Sequence, residues 1–136
     1  MAQVQKSVLV WHPAKQMFDL VDAVETYPQF LPWCGGATVQ ERTDAATLAT
    51  IDINYHGIRH GFTTRNRKEP PEWMHIDLVS GPFEHLTGHW HFIPLSQEAC
   101  KIEFKLEYEF SSKVLEKLIG QFMFDKAAGA PAPILS

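Results

Sequence analysis

Seven histidines, two cysteines and sixteen acidic residues are the groups through which this chain could do chemistry. Their spacing excludes the common catalytic signatures. There is no Gly-rich phosphate loop, no GxSxG elbow, no CxxC and no HExxH. Cys34 could serve as a nucleophile beside a histidine, but it sits in an aromatic-rich turn with no predicted helix N-terminus to lower its pKa. A small buried thiol is the preferred reading. His85, His89 and His91 fall within seven residues, with Glu84 adjacent. On a strand, His89 and His91 share a face, and two imidazoles at that spacing can ligate one ion. Trp90 and Phe92 then claim the inner face and leave the two histidines in water. No cysteine or carboxylate at zinc-site spacing joins them, so a solvated polar face is expected and no metal.

Glu103, Glu107 and Glu109 alternate with lysines, a pattern of solvation and cross-strand ion pairing. Asp52 and Asn54 fall on the phase opposite Ile51 and Ile53, pointing outward. No residue stands out as a general base. The group Arg59, Arg65, Arg67 and Lys68 is the main electrostatic feature. It reads either as a solvated edge strand kept from aggregating by its charge, or as a contact for an anionic partner, lipid head groups or RNA phosphates. The aromatics Tyr55, Phe62, Phe83, Trp90, Phe92, Phe104 and Phe122 either fill a core or line an apolar cavity.

The elements that must position these groups follow from periodicity. Gln3 to Val10 alternates as a strand with Val4, Val8 and Val10 on one phase. His12-Pro13 opens a short helix whose apolar side is Met17, Phe18, Leu20 and Val21. Glu25 to Leu31 reads as a second short helix, ended by Pro32. Trp33 to Gly36 is a turn signal. Strands are then predicted over Ala37–Arg42, Thr47–Arg59, His60–Lys68, Trp73–Ser80, Leu86–Ile93 and Lys101–Phe110. The last alternates most cleanly, with Ile102, Phe104, Leu106, Tyr108 and Phe110 inward. After the caps Ser111 and Ser112, the apolar positions Val114, Leu115, Leu118, Ile119, Phe122 and Met123 recur at helical spacing, predicting a helix over Lys113–Ala128. Residues 129–136, with Pro131 and Pro133, read as a loose tail behind a single domain over 1–128.

The chain's 136 residues suit one domain that can bury roughly two thirds of its unfolded surface. Net charge is −4, against a broad basic face for non-specific nucleic-acid binding. Two cysteines exclude a disulfide scaffold and fit a reducing compartment. The N-terminal residues lack a signal-peptide pattern, and no apolar run approaches the ~20 residues of a membrane span. A cytoplasmic protein is expected, with peripheral membrane contact left open. The element order predicts an α+β fold in which a curved antiparallel sheet grips the C-terminal helix, with an apolar cavity between them.

Two motifs sharpen this. Tyr27-Pro28-Gln29-Phe30-Leu31-Pro32-Trp33-Cys34 resembles the YPxFLPWC signature of the START-like polyketide cyclase/coenzyme Q-binding family. Gly81-Pro82-Phe83-Glu84-His85-Leu86-Thr87-Gly88-His89-Trp90-His91-Phe92 resembles that family's GPFxxLxGxWxF motif, in the expected order and ahead of the amphipathic helix. The likeness runs from about Gln3 to Lys126 and is strongest to the family's bacterial ribosome-association branch. It implies a helix-grip fold with a hydrophobic tunnel. It implies non-enzymatic binding of an isoprenoid quinone such as ubiquinone, or a related lipid, in support of respiration. Trp33, Tyr55, Phe62, Phe83, Leu86, Trp90, Phe92, Leu118 and Phe122 would line that site. The other role it implies is binding the large ribosomal subunit and blocking subunit joining, with Arg59, Arg65, Arg67 and Lys68 on RNA phosphates. A cyclase or dehydrase activity would need a polar residue deep in the pocket, such as Asn54, Tyr55 or His56. Where the family's last helix runs on, Gly129-Ala130-Pro131-Ala132-Pro133 intervenes, so the predicted helix is only about 24 Å long.

Overall fold

The computed structural model describes residues 2–55 and 57–118, with Tyr55 and Leu118 through their backbone alone. The element order is β1 (Ala2–Val10), α1 (Ala14–Asp22), a 3-10 helix (Val24–Gln29), β2 (Cys34–Arg42), β3 (Ala46–Tyr55), β4 (Ile58–Glu69), β5 (Trp73–Ser80), β6 (Phe83–Pro94), β7 (Cys100–Phe110) and α2 (Lys113–Leu118). Among the described residues, the strands form one antiparallel sheet in the order β1-β7-β6-β5-β4-β3-β2. Strands β2 to β7 follow one another as hairpins, and β1 returns to pair with β7, Val4 opposite Leu106. Register shifts at Cys34/Gly36, Val39/Glu41, Thr63/Thr64 and Phe83/His85 are bulges that bend the strands and curve the sheet.

Alternation decides the two faces. Phe62, Thr64, Asn66 and Lys68 of β4 are buried while Arg65, Arg67 and Glu69 are exposed. Leu86, Trp90 and Phe92 of β6 are buried while His89 and His91 are exposed. The inner face is covered in part by α1, which buries Ala14, Met17, Phe18 and Val21. The core has two parts. One gathers Leu31, Trp33, Ile53, Phe62, Phe83, Leu86, Tyr108 and Phe110. The other lies under α1 and holds Met17, Phe18, Met74, Trp90, Phe92 and Ile102.

Several local expectations are corrected. Leu20, placed on the apolar side of α1, is exposed, because the buried positions Met17, Phe18 and Val21 already complete that helix's stripe. The second short helix is a 3-10 turn over Val24–Gln29 with Pro28 inside it. Of the turn predicted at Trp33 to Gly36, Trp33 does lie in a turn, closed by the Cys34 amide on the Leu31 carbonyl at 3.0 Å, whereas Cys34 to Gly36 begin β2 through a register shift. The single strand predicted over Thr47–Arg59 breaks before Ile58, where Gly57 has φ +81°, a left-handed conformation that suits glycine. Ser112 does cap α2, its hydroxyl accepting from the amides of Val114 at 3.2 Å and Leu115 at 3.4 Å. The rest of the predicted helix, Phe122 with it, and the domain boundary at 128/129 lie outside the described residues.

Candidate functional site

The sheet offers two surfaces. On the inner one, Trp33 enters from the segment before β2, Phe62 from β4, and Phe83 and Leu86 from β6, all in the first core cluster. Phe62 meets Phe83 edge-on with centroids 5.5 Å apart, and Phe83 stacks on Phe110 at 4.7 Å. Gly81 has φ +148°, and a Cβ there would stand 2.5 Å from the Cβ of Phe62. The β5–β6 turn can therefore close onto Phe62 only with glycine at that position.

Trp90 and Phe92, expected beside these residues, lie in the second cluster instead. The Trp90 ring sits 4.2 Å from Phe104 and 6.0 Å from Phe92, which in turn meets Phe18 of α1 edge-on at 5.5 Å. The packing of α1 occupies the space in front of them. Phe30 and Phe104 touch both clusters. The side chains of Tyr55 and Leu118, and all of His56, lie outside the described residues. Asn54, a candidate for acid–base work, is exposed.

The inner face turns polar towards the far end of β4. Thr47, Thr64, Asn66 and Lys68 are buried there. Lys68 Nζ donates to both carboxylate oxygens of Asp22, at 2.8 and 3.1 Å, and Thr47 Oγ1 donates to Asp22 Oδ1 at 3.2 Å. The Lys68 side chain is 3% exposed. It therefore ties α1 to β4 and is not on the surface where an anionic partner would meet it. The strand alternation carried this signal, since Lys68 shares the phase of Phe62, Thr64 and Asn66.

On the outer face, Arg59, Arg65 and Arg67 share a phase of β4. This strand lies between β3 and β5, so the edge-strand reading of its charge is overturned. Arg67 Nε donates to Asp77 Oδ2 at 3.1 Å. Arg59 and Arg65 are exposed and, among the described residues, carry no ion pair. They stand about 20 Å apart along the strand. Arg59 borders an open depression with Asp52, Asn54 and His60.

The same face gathers histidines. Register sets His75 of β5 opposite His89 of β6, and Trp73 opposite His91. Trp73, His75, His89, His91 and Arg67 line an open depression of about 330 Å³. Burial lowers the His89 pKa, and the neighbouring His75 and His91 lower it further. His85 does not join this group. The role of His75 was missed because a cross-strand pair depends on hairpin register, which spacing along the chain does not reveal. Both cysteines are buried. Burial raises the Cys34 thiol pKa, its S–H donates to the Gly36 carbonyl at 3.3 Å, and burial raises Cys100 likewise. Neither is activated as a nucleophile. Among the described residues, no helix is long and apolar enough to cross a membrane.

Residues 10–130 match the family described as polyketide cyclase/dehydrase and lipid transport. The chain is 44% identical over 128 residues to the ribosome association toxin RatA of Escherichia coli, covering 94% of this chain and 81% of that protein. It is 25% identical over 128 residues to the mitochondrial coenzyme Q-binding protein COQ10 homolog B of Xenopus laevis, covering 91% of this chain and 52% of that protein. A START superfamily protein of Mycobacterium smegmatis superposes with a TM-score of 0.75 at 22% identity, covering 98% and 96% of the two chains.

Proposed function

Because the chain belongs to the polyketide cyclase/dehydrase and lipid transport family, with its START-like fold, we propose that it is a non-enzymatic binding protein that engages the large ribosomal subunit and hinders subunit joining. The observation that carries this reading is the outer face of β4. It presents Arg59 and Arg65 exposed and free of ion pairs among the described residues, on a chain 44% identical to a protein named for ribosome association. Guanidinium groups so placed suit phosphate oxygens, which they bind through paired N–H donors. Arg67 is partly spent on Asp77 and Lys68 wholly on Asp22, so the contact rests on two of the four residues grouped in the sequence. In cells overexpressing the chain, free ribosomal subunits are expected to accumulate at the expense of intact ribosomes. The double variant Arg59→Glu/Arg65→Glu should restore the normal subunit profile. An unchanged profile with the folded double variant would overturn this surface.

A second reading, binding of an isoprenoid quinone or similar lipid on the inner face, is favoured by the convergence of Trp33, Phe62, Phe83 and Leu86. Apolar burial would supply the affinity, at about 25 cal/mol per Å² before ordering costs. Organic extraction of purified protein followed by mass spectrometry tests it. A near-stoichiometric quinone supports the reading, and an extract free of lipid counts against it.

A further inference from the structure

The histidines of the outer face are arranged more specifically than a solvated surface requires. His75 and His89 face each other across two hydrogen-bonded strands, with their Nδ1 atoms 3.4 Å apart. That separation is long for a hydrogen bond between them. It matches two nitrogens held on one tetrahedral ion, which stand about 3.3–3.4 Å apart when each bond is about 2.0–2.1 Å. The other nitrogen of His75 is held as well. Its Nε2 lies 3.3 Å from Asp77 Oδ1, and Arg67 Nε donates to Asp77 Oδ2 at 3.1 Å. Thr87 Oγ1 also lies 3.5 Å from Nε2. With the ring N–H on Nε2, towards this polar side, the Nδ1 lone pair faces His89, the outer-shell arrangement of zinc-bound histidines. Trp73 stacks beside His89 at 6.1 Å, and the depression these side chains line is open to solvent.

We propose that His75 Nδ1 and His89 Nδ1 form an open, two-nitrogen site for a zinc ion on the outer face of the sheet, with Asp77 positioning His75. Among the described residues, no group of three histidine, cysteine or acidic side chains converges on one point, so water fills the remaining coordination positions. The site is independent of the ribosome reading, since it involves neither Arg59 nor Arg65. It departs from the sequence expectation of a solvated face and no metal, which weighed His89 only with His91 and not with His75 on the neighbouring strand.

The test is calorimetric titration of the tag-free chain with Zn²⁺ in a non-chelating buffer. One equivalent should bind. His75→Ala and His89→Ala should each weaken binding by at least about tenfold, and Asp77→Asn by about tenfold through loss of the outer-shell carboxylate. His12→Ala, in the loop before α1, should leave it unchanged. His89 is exposed and His12, His75 and Asp77 are half-buried, and unaltered circular dichroism melts would establish that the variants fold. No saturable binding by the wild type, or equal affinity in the wild type and the His75 and His89 variants, would overturn the proposal.

Discussion

Trp90 illustrates how a side chain's neighbours decide its role. Its ring lies against Phe104 and stacks over Phe92, whose other side meets Phe18. These are contacts within a closed core, and removing the indole would leave a void that rigid strands cannot fill. Trp90→Ala should therefore cost about 3–5 kcal/mol of stability, read by urea denaturation. Ribosome engagement by the surviving folded fraction should be unaffected. A loss below about 1 kcal/mol would place the ring on a ligand cavity instead. The inward phase of Trp90 was legible, because it alternates with His89 and His91. What it would touch was not, because α1 is brought over β6 by tertiary packing that no local pattern encodes.

Strand β4 contributes to both faces of the sheet. Its even-numbered positions from Phe62 run from aromatic to polar and end in the Lys68–Asp22 pair, while its odd-numbered positions present the arginines. The pair pins the end of α1 to the sheet, and its two members differ in exposure, 3% for Lys68 and 18% for Asp22. Deleting the carboxylate strands a charge that water cannot reach. Deleting the amine leaves a carboxylate that water can solvate. Asp22→Ala should thus destabilise by about 3 kcal/mol, and Lys68→Met by distinctly less, as measured by chemical denaturation. Equal losses would mean that Lys68 is as well hydrated as its partner. The β5–β6 turn gives a second prediction. Gly81→Ala should destabilise markedly, because the added methyl meets Phe62 in a conformation that L-residues avoid. A neutral result in a thermal melt would contradict the turn's geometry. Strand periodicity made most of these elements legible, Trp73–Ser80 to the residue. The breaks were missed where a single residue acts, as at Gly57, or where a bulge replaces a turn, as at Gly35-Gly36.

For the whole molecule, the two faces of one curved sheet differ in chemistry. The inner face is apolar over Trp33, Phe62, Phe83 and Leu86, and is closed elsewhere by α1. The outer face is polar and carries cationic groups despite a net charge of −4. Topology decides against the edge-strand alternative for β4. A charged strand resembles a protected edge, and only the order β1-β7-β6-β5-β4-β3-β2 places it inside the sheet. The family was legible in the two motifs around Trp33 and Trp90. Their order along the chain does not encode which side chains end up in core and which on a binding surface. The proposed role requires the outer face to bind ribosomal RNA through Arg59 and Arg65. The most direct test is the affinity of the purified chain for isolated large ribosomal subunits across a series of salt concentrations. Binding should weaken linearly in log–log form, and Arg65→Gln should lower the slope by about one. Absence of binding, or a slope identical in the wild type and Arg65→Gln, would contradict it.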